Sequence, residues 1–143
     1  MRIAKSIFLT LTTAVLTLTA CGRKVQQSPN TADCASLKFE QRAEATAGEG
    51  AKKRAYSIFV ENFDRNAPCW EQLNQAAKEK PYEPGGKTTV LFFDCPHHTL
   101  SSIDAENPTV EGEYKDFLVA RYVSDENGKT EFVKFPFANA AQP

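Results

Sequence analysis

The run at residues 88–98, TTVLFFDCPHH, decides how the rest of the chain is read. Beyond the N-terminal twenty residues it is the most apolar stretch, and it ends in an acid, a sulfur and two imidazoles. Residues 88–94 are apolar at consecutive rather than alternate positions, as in a strand covered on both faces and therefore central in a sheet. Working outward, residues 99–112 read as loop with one helical turn. Residues 114–123 and 130–137 are rich in aromatic and β-branched side chains, and Asn127-Gly128 between them suits the positive φ angles of a tight hairpin turn. Pro136 then belongs near a strand end or on a sheet edge.

On the N-terminal side of the central run, the spacing predicts helices. Residues 34–47 are rich in Ala, Glu and Arg, with Asp33 as an N-cap and Gly48-Glu49-Gly50 as the stop; a strand over 37–42 is the runner-up. Tyr56, Phe59, Val60 and Phe63 fall at i, i+3, i+4 and i+7, the stripe of an amphipathic helix over 51–64. Pro68 suits a first helical turn, and Trp70, Leu73 and Ala77 mark a further helix that Pro81 stops. Residues 81–87 are turn chemistry. Gly86-Lys87-Thr88 is not a phosphate loop, because Pro81 stands where the first glycine is needed and the strand follows the motif instead of preceding it. Helices first and strands later imply an α+β class: two or three N-terminal helices packed on one face of a small antiparallel β-sheet that ends in a β-hairpin.

The chain of 143 residues has room for one such domain. Its first twenty residues stand apart. Arg2 and Lys5 precede an apolar and hydroxylic run over 6–18 that is too short for a permanent transmembrane anchor, which is the pattern of a secretory signal peptide. Leu18-Thr19-Ala20-Cys21 resembles the lipobox of bacterial lipoproteins. The resemblance covers residues 1–21 and implies cleavage before Cys21, with covalent lipid on that cysteine and membrane attachment without spanning. Gly22 in place of Asp implies, by the same resemblance, the outer membrane facing the periplasm. The expected organisation is a signal peptide over 1–20, a flexible tether over 21–33, one domain over 34–137 and a frayed tail over 138–143. Loss of Arg2 and Lys5 lowers the cations from 17 to 15 against 18 acids, a net charge of −3. That balance favours neither nucleic acid nor an anionic lipid surface. The expected partners are the membrane through the lipid, and an envelope protein or a small ligand.

Cys34, Cys69 and Cys95 remain after lipidation, in an oxidising compartment. A helix opening at Cys69 and a strand closing at Cys95 would bring both to one end of the unit, and a hairpin of the preceding segments would return Cys34 to the same pole. One disulfide follows, with Cys69–Cys95 the first choice and Cys34–Cys69 the second.

Three readings compete for Asp94-Cys95-Pro96-His97-His98. Cys95-Pro96-His97 resembles the opening of the Cys-Pro-His-Cys tetrapeptide of thioredoxin-like periplasmic thiol oxidases, but His98 replaces the resolving cysteine and no long helix follows. Cys95, His97 and His98 also have donor types suited to zinc or copper, although adjacent histidines on an extended chain face opposite ways, so at most one would join Cys95. The third reading, ranked first, is half of a disulfide followed by a proline turn with solvent-facing imidazoles. No nucleophile elbow is present, and acids such as Asp104 and Glu106 read as solubilising loop charge. No catalytic residue is assigned and no cofactor is expected besides the lipid on Cys21. The expectation is a small lipid-anchored binding or accessory module, with thiol or metal chemistry at Cys95 and His97 as the alternative.

Overall fold

The computed structural model describes residues 33–136. In chain order they form strands β1 (Lys38–Ala47) and β2 (Lys53–Glu61), helix α1 (Trp70–Lys78), and strands β3 (Lys87–Phe93), β4 (Leu118–Ser124) and β5 (Thr130–Lys134). Short 3-10 turns lie at Cys34–Ser36, Glu49–Ala51, Pro96–His98 and Gly112–Phe117. The strands make one sheet in the order β1-β2-β3-β4-β5, antiparallel except for the parallel pair β2–β3. A parallel pair needs a crossover between the strand ends, and α1 supplies it.

Strand β3 is central, and every residue from Thr88 to Phe93 is buried. On one face Val90 and Phe92 meet Tyr56, Ile58 and Val60 of β2, Ala120 and Tyr122 of β4, and Leu73 and Ala77 of α1. Trp70, Leu73 and Ala77 do form the inward stripe of that helix. Leu73 is fully buried, a contribution of about 1.5–3 kcal/mol from one side chain. On the other face, Leu91, Phe93 and Leu118 are covered by Leu100, Ile103, Val110, Tyr114 and Phe117 from the segment between β3 and β4.

The expected pair of helices before residue 65 is overturned. Segments 34–47 and 51–64 are instead strands β1 and β2, so the fold is one mixed five-stranded sheet with one α-helix among the described residues, not two or three N-terminal helices on an antiparallel sheet. The reason lies in burial. Strand β2 hides Ala55 and Ser57 on one face and Tyr56, Ile58 and Val60 on the other. A strand buried on both sides loses its alternation of polarity, and the aromatic spacing imitates a helical stripe. Strand β1 has helix-forming composition because it is an exposed edge, and pairing with β2 at nine positions overrides weak propensity. Gly48 and Gly50, at φ 77° and 69°, turn the hairpin instead of ending a helix.

The C-terminal hairpin is present, and Phe137 lies outside the described residues. Its turn differs in detail: Gly128 takes positive φ and Asn127 does not. The Asp125 carboxylate accepts the N–H groups of Asn127 and Lys129 at 3.0 and 2.8 Å, which holds a wider loop closed. Thr46, Arg54, Thr88, Ser124 and Thr130 are successive partners across all five strands, a polar row at the end of the sheet where α1 finishes.

Candidate functional site

At the end of β3 the chain leaves the sheet through Asp94 and Cys95. The Asp94 N–H donates to the Phe117 carbonyl at 3.1 Å, and Pro96 starts the 3-10 turn in which His98 N–H donates to the Cys95 carbonyl at 3.2 Å. The Thr99 hydroxyl closes on the same carbonyl at 2.6 Å. This turn separates the two histidines. His97 is exposed, whereas the half-buried His98 ring stacks on Phe117 with centroids 4.2 Å apart and meets Tyr114 edge-on at 6.0 Å. His98 Nδ1 lies 3.3 Å from the buried Cys95 sulfur, and Nε2 lies 3.7 Å from a Glu113 carboxylate oxygen.

Of the candidate metal or redox residues, the fold therefore brings together Cys95 and His98 and leaves His97 apart. Among the described residues no group of three or more His, Cys, Asp or Glu side chains is arranged to hold a metal ion. The Asp94 carboxylate, the remaining nearby donor, is taken by Arg65, whose Nε and Nη2 reach its two oxygens at 2.6 and 3.2 Å. Arg65 also donates to the carbonyls of Asp116 at 2.8 Å and Phe135 at 3.4 Å. The guanidinium thus ties the segment before α1 to the end of β3, the turn before β4 and the exit from β5.

A disulfide within the described residues joins Cys34 to Cys69, with Cα atoms 5.6 Å apart and a sequence separation of 35. The first-choice pairing, Cys69–Cys95, is excluded because Cys69 is bonded elsewhere. A strand hairpin returns Cys34 to the start of α1 just as a helical hairpin would, which is why the second-choice pairing survives the change of secondary structure. Cys21 and the lipobox lie outside the described residues.

Beside His98, and sharing Tyr114 with it, a shallow cleft of about 630 Å³ opens in the covering segment. Its floor is Leu100, Ile103 and Tyr114, and its rim is polar, with Asp104 and Glu111 the acids. Asp104 accepts the Glu106 N–H at 2.8 Å, and Glu106 forms an ion pair with Lys53 that pins this segment to the start of β2. The ammonium pKa of Lys53 is raised, chiefly by that hydrogen bond to Glu106. These acids are thus structural as well as solubilising. An open, mixed cleft of this kind can hold a ligand by contact and hydrogen bonding. The Cys95 sulfur is buried and disulfide-bonded, so it offers no thiol nucleophile. Sequence reasoning missed Arg65, Glu113, Tyr114 and Phe117, which come from distant positions with no local motif.

Comparison of the chain with models of protein families, with curated proteins and with solved structures finds no match in any of the three.

Proposed function

We propose that the protein is a lipid-anchored cell-envelope domain, held to the outer membrane on its periplasmic side through Cys21, that serves as a binding or accessory module. The observation that carries this reading is Leu18-Thr19-Ala20-Cys21 placed directly after a short apolar run with a basic start. Two acyl chains or more on one cysteine hold a domain stably, whereas a single chain does not. The cleft over Leu100, Ile103 and Tyr114 supports a binding role, and the burial of Cys95 with the separation of His97 from His98 weighs against catalysis by that turn.

The anchor is tested by expressing the full chain with Cys21→Ala in a bacterium that processes lipoproteins. Wild type should incorporate labelled palmitate and sediment with membranes; the variant should lose the label and appear in the soluble envelope fraction. Equal palmitate labelling of both proteins would sink the reading.

A further inference from the structure

A second cavity, of about 230 Å³, lies at the opposite end of the central strand, where α1 finishes over the polar row of the sheet. Its base is made of three hydroxyl side chains that are almost wholly buried: Thr88 at 2% exposure, Tyr122 at 5% and Ser124 at 5%. Thr130 extends the row towards solvent, one strand beyond Ser124. Residues opposite one another on neighbouring antiparallel strands stand about 5 Å apart, so Thr88, Ser124 and Thr130 form an unbroken line of oxygens.

The walls are as specific as the floor. Tyr82 leans across to the β4–β5 turn and donates its hydroxyl to the Asp125 carbonyl at 3.2 Å. A Cβ at Gly128 would meet that hydroxyl at 3.7 Å, so the loop sits flush against the ring. The Thr88 hydroxyl donates to the Pro81 carbonyl at 3.0 Å, which fixes its direction and commits its proton. Lys80 reaches away to Gln41 at 2.8 Å and contributes mainly its stem. Lys78, exposed in the last turn of α1, stands at the mouth with its ammonium uncommitted to any hydrogen bond or ion pair among the described residues.

The hydrogen-bond inventory decides what such a space can take. Thr88 and Tyr82 have spent their protons, and Tyr122 and Ser124 share one hydrogen bond, so the donors left are Thr130, Lys78 and the one hydroxyl proton of the Tyr122–Ser124 pair not used between them. Burial pushes the Tyr122 phenol above its ordinary pKa, and it remains a donor at neutral pH. No Asp, Glu, Asn or Gln lines the cavity, so nothing there repels an anion and nothing chelates a cation. Converging neutral donors with one ammonium at the rim match the oxygens of a carboxylate. The volume falls below the ~300–1,000 Å³ of sites that take drug-sized ligands, and selects a small one.

We propose that this cavity binds a small organic carboxylate, its charged head among Ser124, Thr130 and Lys78 and its body against Tyr82 and Ala77. The site goes beyond the anchored-module reading and does not depend on it, because none of its residues belongs to the lipobox or to the cleft beside His98.

Sodium benzoate and neutral benzamide are suitable probes, followed by titration calorimetry and by amide shifts on the isotopically labelled full chain. Benzoate should saturate, with the largest shifts at Thr88, Tyr122, Ser124 and Thr130, and benzamide should bind at least about tenfold more weakly. Lys78→Gln and Thr130→Val, both at exposed positions, should each weaken benzoate by about tenfold while leaving the unfolding midpoint within a few degrees of wild type. Lysine in a last helical turn also complements the helix dipole; a role confined to that would move stability and leave affinity alone. Absence of saturable shifts into the tens of millimolar would overturn the proposal. So would equal binding of benzamide, or unchanged affinity in both variants.

Discussion

Gly86 is the position where one added carbon should do most harm. It is buried in the turn before β3, its N–H donates to the Glu83 carbonyl at 2.8 Å, and the next N–H, of Lys87, donates to the Lys52 carbonyl at 2.8 Å. A Cβ there would run into the Lys52 carbonyl oxygen and come within 2.9 Å of the Glu83 carbonyl oxygen, both of them backbone atoms without freedom to withdraw. Gly86→Ala should cost about 2–4 kcal/mol. Its neighbour Gly85 has positive φ but open space around it, so Gly85→Ala should cost about 1 kcal/mol of backbone strain. Chemical denaturation of the two variants checks the order, and equal losses would show that the close approach is not what requires Gly86. The sequence marks 81–87 as a turn through Pro and Gly. It holds no sign of which glycine faces a carbonyl, since that depends on the strand linkage at Lys52. The two histidines teach the same lesson: extended-chain reasoning limits the number that can join Cys95 to one, but the Pro96 turn and the distant ring of Phe117 choose His98.

At the scale of elements, legibility followed local contrast. Strand β3, helix α1 and the β4–β5 hairpin show clear patterns, because one is apolar throughout, one has a polar outer face and one brackets a glycine turn. Strands β1 and β2 do not. Tyr56, Phe59, Val60 and Phe63 match a helical period, and only the sheet reveals that Tyr56 and Val60 share a face with Ile58 while Phe59 points to the other. The clue available was the turn chemistry of Gly48 and Gly50, which fits a hairpin as readily as a helix stop. Likewise the cavity at the end of α1 was invisible, because Thr88, Ser124 and Thr130 become neighbours through register alone. The Cys34–Cys69 bond staples the start of this β1–β2 hairpin to the start of α1. A loop of 35 residues closed in the unfolded chain corresponds to about 3–4 kcal/mol of stabilisation in the chain-entropy account. Cys34→Ser with Cys69→Ser should therefore lower the thermal midpoint by ~15–25 °C in a domain of this size. A midpoint within a few degrees of wild type would mean that the hairpin docks without its staple.

Across the whole molecule, Arg65 ties together segments that are far apart in sequence. It contacts Asp94, Asp116 and Phe135, and its own side chain and that of Asp94 are 19% and 17% exposed. Arg65→Met leaves a half-hidden carboxylate and two carbonyls short of donors, at a cost of about 2–4 kcal/mol. Adding Asp94→Asn to that variant should restore part of the loss, and the coupling is read from a double-mutant cycle by urea unfolding. Strictly additive losses would show that the ion pair contributes nothing beyond packing. The disulfide has a mechanical meaning as well. A pull on the chain ahead of Asp33 arrives at Cys34 and passes through the sulfurs to Cys69 at the head of α1. The 35-residue span that contains β1 and β2 therefore lies outside the line of force. Strand β1, at the margin of the sheet, would otherwise be the first to unzip under such a load. With the staple in place, tension on the leading segment is borne by a covalent bond and delivered to the helix packed on the middle of the sheet.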